Sequence, residues 1–287
     1  MINVILNGRL GNILFQYAAA RHLAIKNNTT IKFSIENYIT KRSPFNRKVI
    51  EELSFFNIKP INYSVMIHRI IGRKLGIRES FYTASVYRQK DWGFLPEVLE
   101  QQDGIYLAGT FQSEKYFKDI EQIIRNDLRF IKEPPGREFV LYKEQITKVN
   151  SVSLHIRRRD YLSINMLNVC GMKYYIRSVD TMRDKLVSPR FFVFSDDIEW
   201  CLKNIRIPHC HFVNIEASRK NPIIDFQLMS LCKHHIISNS TFSWWAAWLS
   251  VHREKIVVTP NRWFNHEGMN IKALRDTIPD DWIRVDF

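Results

Sequence analysis

The chain has 287 residues, 45% of them apolar and 25% charged, with 10 Gly and 10 Pro; that balance excludes a disordered, collagen-like or linker-rich protein, and at roughly 100–200 residues per domain it implies two domains. Lys and Arg number 42 against 29 Asp and Glu, a net charge of +13, which points to an anionic partner: nucleic acid, anionic lipid or a phosphorylated small molecule. The opening residues have no basic region and only a short apolar run, and nowhere do about 18 apolar residues follow one another, so the expectation is a cytoplasmic protein without a membrane anchor.

In chain order, a short apolar strand, Val4 to Leu6, breaks at Asn7-Gly8. A helix is predicted from about Asn12 to Lys26, with Leu14, Tyr17, Ala18, Arg21, Ala24 and Ile25 forming a mostly apolar face. Thr30 to Phe33 reads as a second strand, residues 40–100 show no regular pattern, and Gly104 to Thr110 is a buried strand. Ser113 can cap a helix reaching about Asp127. Lys132 to Arg137 is the linker candidate, because Pro134-Pro135-Gly136 interrupts any regular element. Beyond it, strands at Val152–Ile156, Phe191–Phe194, His211–Ile215, His235–Ile237 and Ile256–Val258 alternate with helices at Tyr174–Leu186, Ile198–Asn204, Asp225–Cys232 and Thr241–Val251. That alternation predicts a parallel sheet with helices on both faces, whose ligands bind beyond the carboxyl ends of the strands.

Each strand end carries polar chemistry. Val152–Ile156 runs into Arg157, Arg158, Arg159 and Asp160. A run of arginines can be a solvated face or a nucleic-acid patch, but arginine's planar fork also suits phosphate oxygens. His155 and Arg157 share a face if the strand extends that far. Phe191–Phe194 ends in Ser195-Asp196-Asp197, which can cap the next helix or meet a nucleotide base or ribose. His235–Ile237 ends in Ser238-Asn239-Ser240-Thr241-Phe242-Ser243, a hydroxyl-rich turn opening a helix, whose free N–H groups suit a phosphate. Trp244, Trp245 and Trp248 fit core positions better than a sugar platform. Near the start, Gly8-Arg9-Leu10-Gly11-Asn12 sits between strand and helix; it can approach a phosphate, or be a tight turn with Asn12 as N-cap. Cys170, Cys201, Cys210 and Cys232 have no paired spacing and read as reduced buried thiols, and His209-Cys210-His211 lacks a second ligand pair. No Asp-x-Asp occurs, so a bound diphosphate would be neutralised by arginine.

Together these segments resemble glycosyltransferase family 11, the α-1,2-fucosyltransferases, from one end of the chain to the other. The strings are Gly8–Ala18 (GRLGNILFQYA), Gly109–Phe117 (GTFQSEKYF), His155–Tyr161 (HIRRRDY, an H-x-R-R-x-D motif), Phe192–Trp200 (FVFSDDIEW), Asp225–Ser250 and Val257–Phe264. Ile13 stands where the family often has Gln, and Ala246 where Gly is usual. The resemblance implies an α/β protein of GT-B type: two Rossmann-like domains facing each other across a cleft, residues 1–140 on the acceptor side and 141–287 binding GDP-fucose. It implies inverting, metal-independent and cofactor-free transfer of L-fucose from GDP-β-L-fucose to a galactose-containing oligosaccharide or glycolipid, with acceptor loops within residues 36–104. The expected catalytic residues are Arg157, Arg158, Asp160, His155 and Asn12. The expected donor-binding residues are Gly8, Gly11, Ser195, Asp196, Asp197, Asn239, Ser240, Thr241, Phe242 and Ser243. The base stays open among His155, Asp160 and none. The alternatives are a nucleic-acid-binding protein, disfavoured because no recognised module is present, and transfer from another nucleotide sugar. The remaining basic residues would allow peripheral contact with the inner face of an anionic membrane.

Overall fold

The apolar run Ile2-Asn3-Val4-Ile5 forms strand β1 and is buried at every position, as the central strand of a parallel sheet requires. Helix α1, Leu10–Lys26, follows. Ala18, Ala19, Ala20 and Ala24 let it lie close, and it is buried around most of its circumference. It begins at Leu10 with Arg9 as N-cap, so Asn12 lies inside the first turn and is not the cap. Strand β2, Ile31–Ser34, pairs with β1. The computed structural model describes residues 1–34, 45–58, 62–64 and 85–287. Much of the expected acceptor segment, 36–104, therefore falls outside the described residues.

The other elements of the first half are α2 (Phe45–Leu53), β3 (Asn62–Ser64), β4 (Val86–Arg88), β5 (Tyr106–Ala108) and α3 (Glu121–Asp127). Its five-stranded sheet has the order β3-β2-β1-β5-β4, with every pairing parallel. The Gly104–Thr110 strand is shorter than expected. Ser113 Oγ does accept from Lys115 N (3.3 Å), but closes only a single 3-10 turn, Glu114–Tyr116; regular helix starts at Glu121.

The chain divides into two compact units, Met1–Ile131 and Lys132–Phe287. Pro134, Pro135 and Gly136, the last with φ of 127°, occupy the start of the second unit. Helix α4, Arg137–Lys148, then buries Phe139 and Ile146. The expected boundary at 140/141 falls within this helix, whereas the units part at Ile131 and Lys132.

The second unit continues as β6 (Ser151–Ile156), α5 (Arg159–Ser163), α6 (Met172–Lys185), β7 (Arg190–Ser195), α7 (Ile198–Asn204), β8 (Cys210–Phe212), α8 (Glu216–Lys220), α9 (Ile223–Leu231), β9 (His234–Ile236), α10 (Thr241–Leu249), β10 (Val257–Pro260), α11 (Glu267–Asp276) and β11 (Ile283–Val285). Its sheet order is β11-β10-β9-β6-β7-β8, again all parallel. The chain winds outward from β6 through β7 to β8, then crosses to the opposite side of β6 for β9, β10 and β11. The order therefore reverses between β6 and β9, a topological switch point.

The core packs Val152, Leu154, Tyr174, Val179, Met182, Phe191, Val193, Ile236 and Val258 around these strands. Helix α10 is apolar on all sides, and Trp244, Trp245 and Trp248 are buried. Trp244 packs edge-on against Trp245 at 5.1 Å and at a tilt against Trp282 at 5.4 Å, and its indole N–H donates to Thr277 O at 2.7 Å. The tryptophans are core, and they fix the helix whose first turn lies at the β9 end.

Candidate active site

Both halves of the switch point carry the polar strings. Parallel pairing sets Leu154 opposite Ile236 and Ile156 opposite Ser195, so Arg157–Asp160, Asp196–Asp197 and Ser238–Ser243 emerge together at the carboxyl edge of β6, β7 and β9.

Arg157 Nη2 donates to both oxygens of Asp160 at 2.7 and 2.9 Å, and its Nη1 lies 3.1 Å from Asp196 Oδ2. The Arg158 backbone N–H donates to Asp196 Oδ1 (2.9 Å). Asp196 thus joins the two arginines; burial raises its pKa, against the lowering effect of Arg157. Arg158 Nε donates to Asp197 Oδ2 at 3.3 Å, and its guanidinium stacks 3.5 Å from the centre of the Trp200 ring. Among the described residues no bond engages the terminal amino groups of Arg158. Arg159 is exposed and makes no ion pair among the described residues.

His155 sits behind the arginines, 4% exposed, with Nδ1 2.9 Å from Ser238 Oγ and its ring 5.8 Å from that of Phe242. Burial, with Arg157 nearby, lowers its pKa to about 3, so the imidazole is neutral across physiological pH.

Ser195 Oγ donates to Ile156 O (2.7 Å) and accepts from Asp197 N (3.0 Å). Asp197 caps α7 through Trp200 N (3.4 Å) while holding Arg158. The Ser195–Asp197 string therefore caps a helix and also braces arginines. Asn239 is a staple: its Nδ2 donates to Leu167 O (3.0 Å) and Trp263 O (2.9 Å), its Oδ1 accepts from Cys170 Sγ (3.5 Å), and its carbonyl accepts from Tyr161 OH (3.3 Å). Its side chain is occupied with the 161–170 segment. Ser240 is the N-cap residue of α10, although its side chain makes no cap bond, and Ser243 Oγ turns back to Ser240 O (3.2 Å). Thr241 and Phe242 are half-buried in the first turn, with the positive end of the helix dipole beneath them.

A pocket opens between the arginines and the 161–172 segment, lined by Arg157, Arg158, Tyr161, Cys170, Trp200 and Asn239. Burial pushes the Cys170 thiol up to about 12, far from a reactive thiolate. All four cysteines are free. Around His209-Cys210-His211, His209 Nδ1 meets Arg190 at 2.7 Å and His211 stacks on Phe192 at 5.2 Å, which gives both imidazoles other partners.

In the first unit, Gly8, Gly11 and Asn12 lie at the carboxyl end of β1, beside the end of β5. Gly8 has φ of 89°, and a Cβ there would lie 2.4 Å from Asn12 Nδ2. Gly11 is buried in the first turn of α1. Gln112 Nε2 donates to Asn12 Oδ1 at 3.0 Å.

Three of these residues, Trp200, Ser238 and Gln112, were not among those expected. Trp200 carried a readable signal: an aromatic placed one helical turn after a strand-end carboxylate can underlie a neighbouring arginine. Gln112 lies within the Gly109–Phe117 string, but its bond to Asn12 was not readable, since that partner is 100 residues away in sequence.

Two parallel-sheet units, one with paired arginines and a helix N-terminus at its switch point, define the class: a glycosyltransferase of GT-B type. The family model for glycosyl transferase family 11 matches residues 1–286, and the chain belongs to that family. It is 30% identical over 305 residues to an Escherichia coli protein named alpha-1,2-colitosyltransferase, covering 98% of this chain and 97% of the relative. It is 35% identical over 249 residues to mouse galactoside alpha-(1,2)-fucosyltransferase 1, covering 85% and 62%. Among solved structures, the alpha-1,6-fucosyltransferase NodZ soaked with GDP-fucose is similar in fold, with a TM-score of 0.51, 15% identity, and coverage of 86% of this chain and 92% of that one. Among the described residues no helix is long and apolar enough to cross a membrane.

Proposed function

We propose that the protein transfers L-fucose from GDP-β-L-fucose to the 2-hydroxyl of a galactose-terminated glycan, with inversion. The observation that carries this reading is the Arg157–Arg158 pair at the β6–β9 switch point, beside the first turn of α10. The acceptor oxygen attacks the anomeric carbon, the bond to the β-phosphate oxygen breaks, and negative charge grows on that phosphate. Arg158, pre-aimed by Trp200 and Asp197, meets this charge; Arg157 lies behind it, held by Asp160 and Asp196. The N–H groups of Thr241–Ser243 add positive potential.

Arginine supplies the neutralisation that a divalent metal gives elsewhere, and no cofactor is required. A buried imidazole with a pKa near 3 is a poor proton acceptor at neutral pH. Asp160 is engaged by Arg157 through both oxygens. The leaving diphosphate therefore takes the acceptor proton. Ser195, Asp196 and Asp197 border the nucleoside, with Asn239, Ser240, Thr241, Phe242 and Ser243 forming the opposite wall. In the first unit, Asn12 meets the acceptor at the carboxyl end of β1, where Gly8 and Gly11 let the backbone approach.

The test is incubation with GDP-fucose and a panel of galactose-ended oligosaccharides, followed by linkage analysis of the product. A thermal-shift series with GDP, UDP, ADP and an oligonucleotide separates the nucleotide classes, since a ligand stabilises by RT ln(1 + [L]/Kd). Stabilisation by GDP alone is expected; stabilisation by the oligonucleotide alone overturns the reading. A second reading, colitosyl transfer, is favoured by the full-length relative named for that activity. GDP-colitose in the same assay decides between them. The +13 charge further supports peripheral contact with an anionic membrane from the cytoplasmic side. Anionic vesicles would recruit the protein at low salt and release it at high salt.

A further inference from the structure

We infer that the pocket between the paired arginines and the 161–172 segment is the subsite for the sugar of the nucleotide-sugar donor, and that the Tyr175 hydroxyl is its hydrogen-bond donor. The inference rests on the reading that the donor's diphosphate meets Arg157 and Arg158.

The segment that covers the pocket carries little regular structure, yet it is pinned along its length. Asn239 Nδ2 donates to Leu167 O (3.0 Å) and Asn265 N to Met166 O (2.8 Å), while Tyr161 OH donates to Asn239 O (3.3 Å) and Cys170 Sγ to Asn239 Oδ1 (3.5 Å). Held in this way, the segment does not collapse onto β6 and α7. It leaves a concavity of about 430 Å³, open mouth included, within the size range of small-molecule sites. Ile156, Leu162, Leu167, Val169 and Met172 give it largely apolar walls.

The same pocket contains an orphaned donor. Tyr175, in the first turn of α6, is 2% exposed and lines the pocket. The Arg157 backbone approaches its oxygen without reaching hydrogen-bond geometry, and among the described residues nothing accepts its proton. Its neighbour Tyr174 shows the contrast: fully buried, it donates to Ile237 O at 2.5 Å. A buried hydroxyl without a partner destabilises a fold, and phenylalanine would fill the same space without that cost. The hydroxyl therefore points to a bound group that accepts from it.

The position of the pocket identifies that group. Arg157 and Arg158 form part of its lining, whereas Ser195, Asp196 and Asp197 lie outside it. In a nucleotide sugar the sugar is bonded directly to the terminal phosphate, so a diphosphate on the arginines brings the sugar to this pocket and leaves the nucleoside beyond it. Aliphatic walls with few polar groups suit a deoxysugar, whose C–H faces and methyl group pack against them while one ring hydroxyl accepts from Tyr175.

The experiment compares Tyr175→Phe with the parent in three measurements: melting temperature, the affinities for GDP and for the intact donor, and donor kcat/KM. The donor is whichever of GDP-fucose and GDP-colitose supports turnover. The melting temperature is expected to hold or rise, because the unpaired hydroxyl is gone. GDP affinity should be unchanged, while donor affinity and donor kcat/KM fall about three- to tenfold. A hydroxyl with a merely structural role would not give undiminished stability with a loss confined to the sugar-bearing ligand. Unchanged donor affinity and kcat/KM overturn the inference, and so does an equal loss for GDP and donor, which would put the nucleoside in the pocket. If the parent itself binds no GDP, the reading of the diphosphate falls and the inference with it. Should Tyr175→Phe melt early, Val169→Phe, which adds bulk at the pocket wall, serves in the same comparison, with weaker donor binding and unchanged GDP binding expected.

Discussion

Arg158 lies flat on Trp200, with its guanidinium carbon 3.5 Å from the ring centre, while its Nε holds Asp197. The stack and the ion pair constrain the guanidinium plane from two directions and leave the terminal amino groups projecting. Arg158→Ala should reduce kcat by about 10²–10³ while the melting temperature stays near that of the parent. Arg158→Lys should restore little, because an ammonium neither stacks as a plane nor forks. Unchanged turnover in Arg158→Ala would remove this residue from the chemistry.

Trp200→Leu keeps the volume largely apolar but removes the stacking face. A cation–π contact of this kind contributes about 0.5–2 kcal/mol, so transfer should fall by a few-fold to about thirtyfold, mostly in kcat. Steady-state kinetics at saturating donor measure it. A loss confined to the acceptor KM would place Trp200 in a different role.

Asp196 accepts the Arg158 backbone N–H and lies 3.1 Å from Arg157. Asp196→Ala leaves that N–H without its acceptor and removes one of the two carboxylates around Arg157, so both stability and turnover should drop. Asp196→Asn can still accept the N–H and should retain more stability than Ala. Denaturant melts of the two variants make the comparison. Equal stability would show that the backbone bond contributes little.

Much of this site was legible in the sequence, because strand-end residues are determined locally. The Val152–Ile156 strand, the Ile198–Asn204 helix and the chemistry following each strand emerge from apolar periodicity and the residues that interrupt it. What was not legible depends on distant partners. Asp196 and Asp197 read as caps or nucleoside ligands, yet they also brace arginines 38 and 39 residues away. Asn239 read as a donor ligand, yet its amide staples Leu167 and Trp263. Strand β11 has only three residues, too few for a period, and exists because β10 offers it an edge. Asn12 read either as a residue near a phosphate or as a cap, but Arg9 is the N-cap and α1 starts at Leu10.

If arginine alone neutralises the diphosphate, chelation with EDTA should leave the transfer rate unchanged, and added Mg²⁺ or Mn²⁺ should not raise it. The same assay in Arg158→Ala is informative, since a cation could then substitute for the missing charge. Loss of activity on chelation, restored by one metal, would overturn the metal-independent reading.

The buried titratable groups predict opposing pH trends that two variants can separate. His234 is lowered to about 4 by burial and by His252 and Lys233, and His235 well below its ordinary value by burial and Lys255. Unfolded histidines take up protons near pH 6.5, so their contribution is complete above about 6.5 and is lost as pH falls toward 4. Asp225 behaves oppositely. Burial raises it to about 7, against a Ser218 bond that lowers it, and its Oδ1 has no hydrogen-bond partner among the described residues. Its unfolded form ionises near 4, so its contribution is complete below about 4 and is lost as pH rises toward 7. Asp225→Asn should therefore gain stability relative to the parent as pH rises from about 4 to 7, then level off. His234→Gln should gain relative to the parent as pH falls below about 6.5, once its lost bonds to Asn150 and Ile256 are allowed for as a constant offset. Denaturation midpoints across that range give both differences, and a flat difference for either variant would remove that group from the pH dependence.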